Sequence, residues 1–334
     1  MKCRFVLNPP VKTYQSNAYV LGAVLALGPA ANGILDNNFL SWECFPNLKD
    51  SFRPIMFLPF FSPSNFSACR LGLQLSFKPN DQIELYTAIS SSLEQGFLVR
   101  LLVDEYYIPD RWAYGKRHWV HDVLITDATS GIGPFEMIGY CSDDRYRVSA
   151  CSPTELSEGY FSAIEAVEKT KEVGFVAFKA QLQQPILIEP KEIKRQLGCF
   201  LKSKDPHPRV QERSLNREPK ILYGLDIYEA YEMYVRNLAE NDSLDRRIFS
   251  IVTEHSQMML RRTMGLESLF GIVIEKNSMR QATQLASMLQ LLSLLPKHRR
   301  SNAIYAEMGR LCRELKDESR KAGEILWMGI DQHG

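Results

Sequence analysis

The residues best suited to chemistry in this chain stand between positions 104 and 122. Asp104-Glu105-Tyr106-Tyr107-Ile108-Pro109 is followed closely by His118-x-x-His121-Asp122. An imidazole gains and loses its proton near neutral pH, so a histidine held in place can serve as a general base. A neighbouring carboxylate can fix its tautomer and orientation. If the segment is a strand, His121, Val123 and Ile125 share one face and Asp122 and Leu124 the other. Two histidines at this spacing give too few ligands for a metal centre. As hydrogen-bonded structural residues, His118 and His121 would need no chemistry at all, and both readings stand at this level.

A histidine base needs a nucleophile facing it, and the strongest arrangement puts that nucleophile at a helix N-terminus, whose dipole favours a thiolate. The apolar run Ala18–Leu27 predicts such a helix, over 18–28. Ser16 or Asn17 could cap it, and Gly28-Pro29 would end it. The same run, behind Lys2, Arg4 and Lys12, has some features of a secretory leader. The long preceding segment with Pro9-Pro10 argues instead for a buried helix in a cytoplasmic protein. The run is too short to span a membrane.

The strands that must present the histidine follow from the apolar pattern. Phe97–Val103 reads as a strand buried on both faces, with Trp119–Thr126 as its neighbour. Phe135–Cys141 and Arg145–Ser149 would complete an antiparallel meander, turning at Gly131-x-Gly133 and Asp143-Asp144. Gly131-x-Gly133 is a turn and not a phosphate cradle, because no helix N-terminus follows it. Phe39–Phe77, rich in Phe, Pro and Ser, suits short edge strands and loops. Helices are expected from Pro153 to about Lys171 and over Pro190–Leu201, with a strand at Val173–Lys179. Lys202–Lys220 carries prolines and charges and reads as a linker or exposed loop. Beyond it, helical spacing recurs in 246–264, where Met258, Met259 and His255 would pack inward, and in Gln281–Leu295 and Ala303–Met328. The basic run Lys297-His298-Arg299-Arg300 reads as a solvated loop leading into a helix. The expected organisation is an α+β domain over 1–201, a linker over 202–220 and a helical domain over 221–334.

Several stretches of this sequence have a family look. Val103-Asp104-Glu105-Tyr106-Tyr107-Ile108-Pro109, with His118-x-x-His121-Asp122-Val123-Leu124-Ile125, resembles the butirosin biosynthesis protein H N-terminal family. Phe135-Glu136-Met137-Ile138-Gly139-Tyr140, Arg145-Tyr146-Arg147-Val148-Ser149 and Ser152-x-x-Glu155-Leu156 are similar too. The resemblance is most specific over roughly residues 97–160. It implies a papain-like fold, an antiparallel sheet packed on a central N-terminal helix. It also implies acyl or peptidyl transfer in natural-product assembly: a carrier-protein thioester gives its acyl group to an amine through a cysteine acyl-enzyme.

Carried over by position, the resemblance makes His121 the general base, puts the nucleophile at Ala18, with Ser16 a poorer match, and puts the orienting acid at Gly139. Ser16, Asn17, Tyr19, Asp104, Tyr107, His118 and Asp122 would line the substrate pocket between the first helix and the 97–126 strands. Both the cysteine and the acid are absent from this chain. Asp122, Asp127 or Asp143 could orient His121 only if the loops bend to it, and Cys44, in the aromatic Trp42–Phe45 segment, reads as a buried small hydrophobe. An alanine cannot attack an acyl group, so two explanations stand: an engineered cysteine-to-alanine change at 18, or a natural lineage whose site has become a binding pocket. The functional expectations are accordingly an acyl or peptidyl transferase lacking its nucleophile, or a non-catalytic relative that binds a peptide, a carrier protein or a partner enzyme.

Composition narrows the partners. The 40 Lys and Arg against 39 Asp and Glu leave a net charge of +1, which disfavours a broad nucleic-acid-binding face. Seven scattered cysteines form no CxxC pair and no zinc-like cluster with the six histidines. No metal and no organic cofactor is expected, and the cysteine usage fits a reducing cytoplasm. An exposed apolar stripe on the helical half would point to a homodimer.

Overall fold

A computed structural model describes residues 5–38, 40–46, 48, 54–58, 72–128, 134–167, 174–182, 185–206, 221–241 and 244–333. The fold is α+β, with antiparallel sheets and helices first and a helical part last. Helices α1 (Gln15–Leu25) and α2 (Gly33–Asn37) precede the short strands β1 (Ser41–Cys44), β2 (Ile55–Leu58) and β3 (Gly72–Phe77). Helix α3 (Gln82–Glu94) leads to β4 (Leu98–Asp104), β5 (Val120–Ala128), β6 (Phe135–Tyr140) and β7 (Tyr146–Cys151). Next come α4 (Pro153–Val167), β8 (Phe175–Ala180), α5 (Pro190–Leu201) and β9 (Leu222–Tyr223). The chain closes with α6 (Ile227–Asn241), α7 (Arg246–Phe270), α8 (Asn277–Ser293) and α9 (Asn302–His333).

The chain forms two compact units, each built from two stretches: Met1–Ala31 with Phe61–Pro185, and Asn32–Phe60 with Ile186–Gly334. Residues 32–60 and 186–201 therefore group with the helical part, not with the sheet-bearing body to which the sequence assigned them. The cause is a buried indole: Trp42 on β1 donates its ring N–H to Gly224 and stacks on His255 of α7. Of the expected linker, residues 207–220 lie outside the described residues, as does the Gly131-x-Gly133 turn.

In the first unit six strands run in the order β3-β8-β4-β5-β6-β7, and every paired neighbour is antiparallel. Strands β4 to β7 make the expected meander. Leu85, Ile89 and Leu93 of α3, with Leu156 and Tyr160 of α4, form one core with Val99, Leu101, Val123 and Ile125. Burying side chains of that size is worth roughly 1.5–3 kcal/mol each, which fixes the register. Helix α3 is missing from the sequence reading, although Asp81 and Glu84 mark its start. The Asp81 carboxylate accepts the Glu84 N–H at 2.8 Å, and Glu84 reaches back to the Asn80 N–H at 2.9 Å, a reciprocal cap.

Helix α1 starts earlier than its apolar run. Tyr14 is its N-cap residue and makes no side-chain cap, while Ser16 and Asn17 lie buried inside the first turn instead of capping it. Three consecutive polar residues look like a surface boundary in sequence, yet here all three are buried. The helix ends at Leu25, ahead of Gly28, whose φ of +90° only glycine adopts freely.

In the second unit β2-β1-β9 form a small antiparallel sheet, and α9 packs along α8, α6 and α5. Met258, Met259 and His255 are buried, as the helical spacing implied. Helix α7 ends at Gly271 in the left-handed region. Lys297–Arg299 form an exposed 3-10 turn leading into α9. Among the described residues no helix is long and apolar enough to cross a membrane.

Candidate functional site

The N-terminus of α1 and the start of β5 do meet, and the residue that meets His121 is Gln15. Its amide Nε2 lies 2.8 Å from His121 Nδ1. The amide cannot be turned over, because Gln15 Oε1 accepts the Tyr140 backbone N–H at 2.8 Å. Nε2 is therefore a donor, and His121 Nδ1 must carry the lone pair, since two donors at this distance would repel. Nδ1 is also 3.1 Å from the Asp122 carbonyl and 3.2 Å from Asp122 Oδ1. Ala18 lies three residues further along α1 and is fully buried. The α1 residue in contact with His121 is therefore Gln15, in the first turn, and not Ala18.

Tyr19 and Arg111 complete this cluster. The Tyr19 hydroxyl, buried and pushed well above its ordinary pKa by burial and then by the nearby Asp122 charge, sits within 3.2 Å of Gln15 Oε1, Asp122 O and Ile138 O. The Arg111 guanidinium, 2% exposed, donates from Nη1 to Tyr140 O at 2.8 Å and from Nη2 to Ser149 Oγ at 3.2 Å. Gln15 and Arg111 fill the space that a side chain at position 139 would need. A Cβ on Gly139 would stand 2.3 Å from Gln15 Oε1 and 2.6 Å from Arg111 Nη1. Glu105 is buried nearby; burial raises its carboxyl, with His121 and Arg111 pulling the other way. Among the described residues, Ser16 Oγ and Asn17 Oδ1 are buried at the helix start with no hydrogen-bond partner.

A second cluster gathers on Asp104. Its carboxylate receives His118 Nδ1 at 2.6 Å, the Ser162 hydroxyl at 2.8 Å, the Trp119 N–H at 2.9 Å and the Tyr106 N–H at 3.1 Å. Burial pushes the Asp104 carboxyl up, but these bonds outweigh it and hold the group below the usual carboxylate range. His118 stacks on Tyr106 at 4.6 Å and lies near the Tyr107 ring. The expected lining residues therefore divide: Tyr19 and Asp122 join His121, whereas Asp104, Tyr107 and His118 tie down the 105–119 loop.

Asp127 accepts the Ala128 N–H at the end of β5 and Asp143 the Arg145 N–H in its turn, and neither hydrogen-bonds His121. Burial pushes the Cys44, Cys151 and Cys312 thiols up to about 12, so they are not activated nucleophiles. Among the described residues no group of three metal-ligating side chains converges. Gln15, Arg111, Ser149 and Ser162 escaped the sequence reading. Only Gln15 left a signal there, as the first polar residue of a segment that folds into a buried helix. No family model and no curated protein matches this chain.

Proposed function

We propose that this chain is a non-catalytic relative of papain-like acyl and peptidyl transferases, which binds a peptide, a carrier protein or a partner enzyme. The supporting observation is the Gln15–His121 bond. A helix N-terminus faces a strand histidine at hydrogen-bonding distance, the layout of a nucleophile–base pair, but an amide stands in the nucleophile's place and occupies the nitrogen lone pair. Gly139 extends the argument. Its missing side chain makes room for Gln15 and Arg111, so the departures from the catalytic pattern fit together as one rebuilt network rather than a single replaced residue. Free thiols at Cys44, Cys141, Cys151, Cys199 and Cys312 support a cytoplasmic location within the same reading.

The test compares the protein with its Gln15→Cys variant on an acyl N-acetylcysteamine thioester and on iodoacetamide. The unaltered protein should release no thiol above the level of His121→Ala. Gln15→Cys should label faster than any native cysteine, because the helix N-terminus and His121 together stabilise a thiolate. Thioester turnover by the unaltered protein that vanishes in His121→Ala would overturn the reading and restore a transferase. Slow labelling of Gln15→Cys would remove the papain-like comparison.

A further inference from the structure

Residues 112–119 expose Lys116 and Arg117 and contain no acidic residue, in a chain whose charges otherwise balance. Within this loop the Arg117 guanidinium lies over two indoles, its Cζ 4.2 Å from the Trp112 ring centroid and 4.7 Å from that of Trp119. Both indoles stay in water, 50% and 40% exposed, as does Tyr114 at 46%. Arg117 is itself exposed, so a guanidinium held against indoles can still offer its N–H edge. That planar edge matches a carboxylate in a two-bond geometry.

The loop is also fixed in advance. Asp104 holds His118 and the Trp119 N–H, the Gly115 N–H donates to Tyr106 O at 3.0 Å, and the Arg117 N–H donates to Ala113 O at 3.2 Å. A surface ordered before binding loses little further entropy on binding. Trp, Tyr and Arg are the side chains that dominate protein-binding hot spots.

We propose that residues 112–119 are a docking face for an acidic segment of a partner protein. One carboxylate of that segment pairs with the Arg117 edge, and an adjacent apolar or aromatic side chain rests on Trp112 or Trp119. Exposed aromatics with cations also suit a single-stranded nucleic acid, but the surroundings favour the peptide. The Ser142 N–H donates to Asp110 O, which brings the Asp143-Asp144 turn to the base of the loop, and a running phosphate backbone would meet these carboxylates. Arg147 is already engaged by Asp110 and Asp143. A short acidic segment ends before reaching them.

The experiment titrates the protein into a fluorescently labelled Glu/Tyr hexapeptide, a Lys/Tyr hexapeptide and oligo-dT, read by anisotropy at low and high salt. The Glu/Tyr peptide should bind, more weakly at high salt, and the other two should not. Arg117→Gln should weaken binding roughly tenfold or more, the range for losing a charge-assisted hydrogen bond. Arg117→Lys, which keeps the charge and loses the plane, should fall between. Circular dichroism of each variant confirms the fold, and since Arg117 is exposed its removal should leave that signal unchanged. Failure of the Glu/Tyr peptide to bind, binding indifferent to Arg117→Gln, or equal binding of oligo-dT would overturn the proposal.

Discussion

His255 lies in the core of the second unit with its ring stacked 4.1 Å from Trp42 and its Nε2 donating to the Leu40 carbonyl at 3.0 Å. Burial, with the charge of Arg262 acting in the same direction, lowers its pKa to about 3. In the unfolded chain the same group titrates near about 6.5. The unfolded state therefore takes up a proton first, so the stability that His255 contributes is whole above about pH 6.5 and drains away as the pH falls toward 3. At about 1.4 kcal/mol per pH unit, the loss by pH 5 is roughly 2 kcal/mol, rising to about 4–5 kcal/mol at the folded-state value. Urea titrations of the protein and of His255→Phe from pH 8 to pH 4 measure it. Phenylalanine keeps the stacking but orphans the Leu40 carbonyl, so the variant should be about 1–3 kcal/mol weaker at pH 8. Its deficit should shrink as the pH drops and then reverse. A difference between the two proteins that stays constant from pH 8 to pH 5 would refute the reasoning.

Three further outcomes are expected. Gly139→Ala should lower the urea midpoint by about 1–3 kcal/mol of stability without changing the slope, since its Cβ collides with Gln15 and Arg111; an unshifted midpoint would mean that the network is loose. Asp104→Asn should cost about 1–3 kcal/mol and speed amide exchange across 105–119, because one carboxylate holds both ends of that loop. With its folded-state value depressed, the Asp104 contribution exists above the unfolded value and is lost as pH falls through the folded one; equal acid sensitivity of the variant would contradict this. Nitrogen NMR should show the Gln15 side-chain amide hydrogen-bonded to His121 Nδ1; an amide free of that bond would void the donor assignment.

Local patterns carried much of the fold. The unbroken apolar run of β4 and the turn residues between the later strands foretold the meander, and Pro190 marked the start of α5 to the residue. Those signals are short-range, set by backbone pairing and solvent. The unit boundaries were not legible, because Trp42 and His255 are far apart in sequence and nothing near either one announces its partner. In the site, His121 stood out by its residue type and Asp104 by its place at a strand end. Gln15 and Arg111 did not, since their roles depend on a volume above Gly139 that they fill and that only the packed structure reveals. The same volume accounts for the glycine, which in sequence reads merely as a missing acid.

The second unit draws on the chain twice, and this sets an order of events during synthesis. β1 leaves the ribosome early, yet the carbonyl that receives the Trp42 indole N–H belongs to Gly224, 182 positions later, and His255 comes later still. Until then a large aromatic side chain and a short hairpin have no cover, while the whole intervening stretch of the first unit is being made. The first unit can begin to pair β4 through β7 as they emerge, each strand beside its predecessor. Its companion must wait for nearly the full polypeptide. A ribosome stalled before β9 would thus display an unpaired β1 edge and a naked indole, the kind of surface that chaperones hold and that self-associates when they do not.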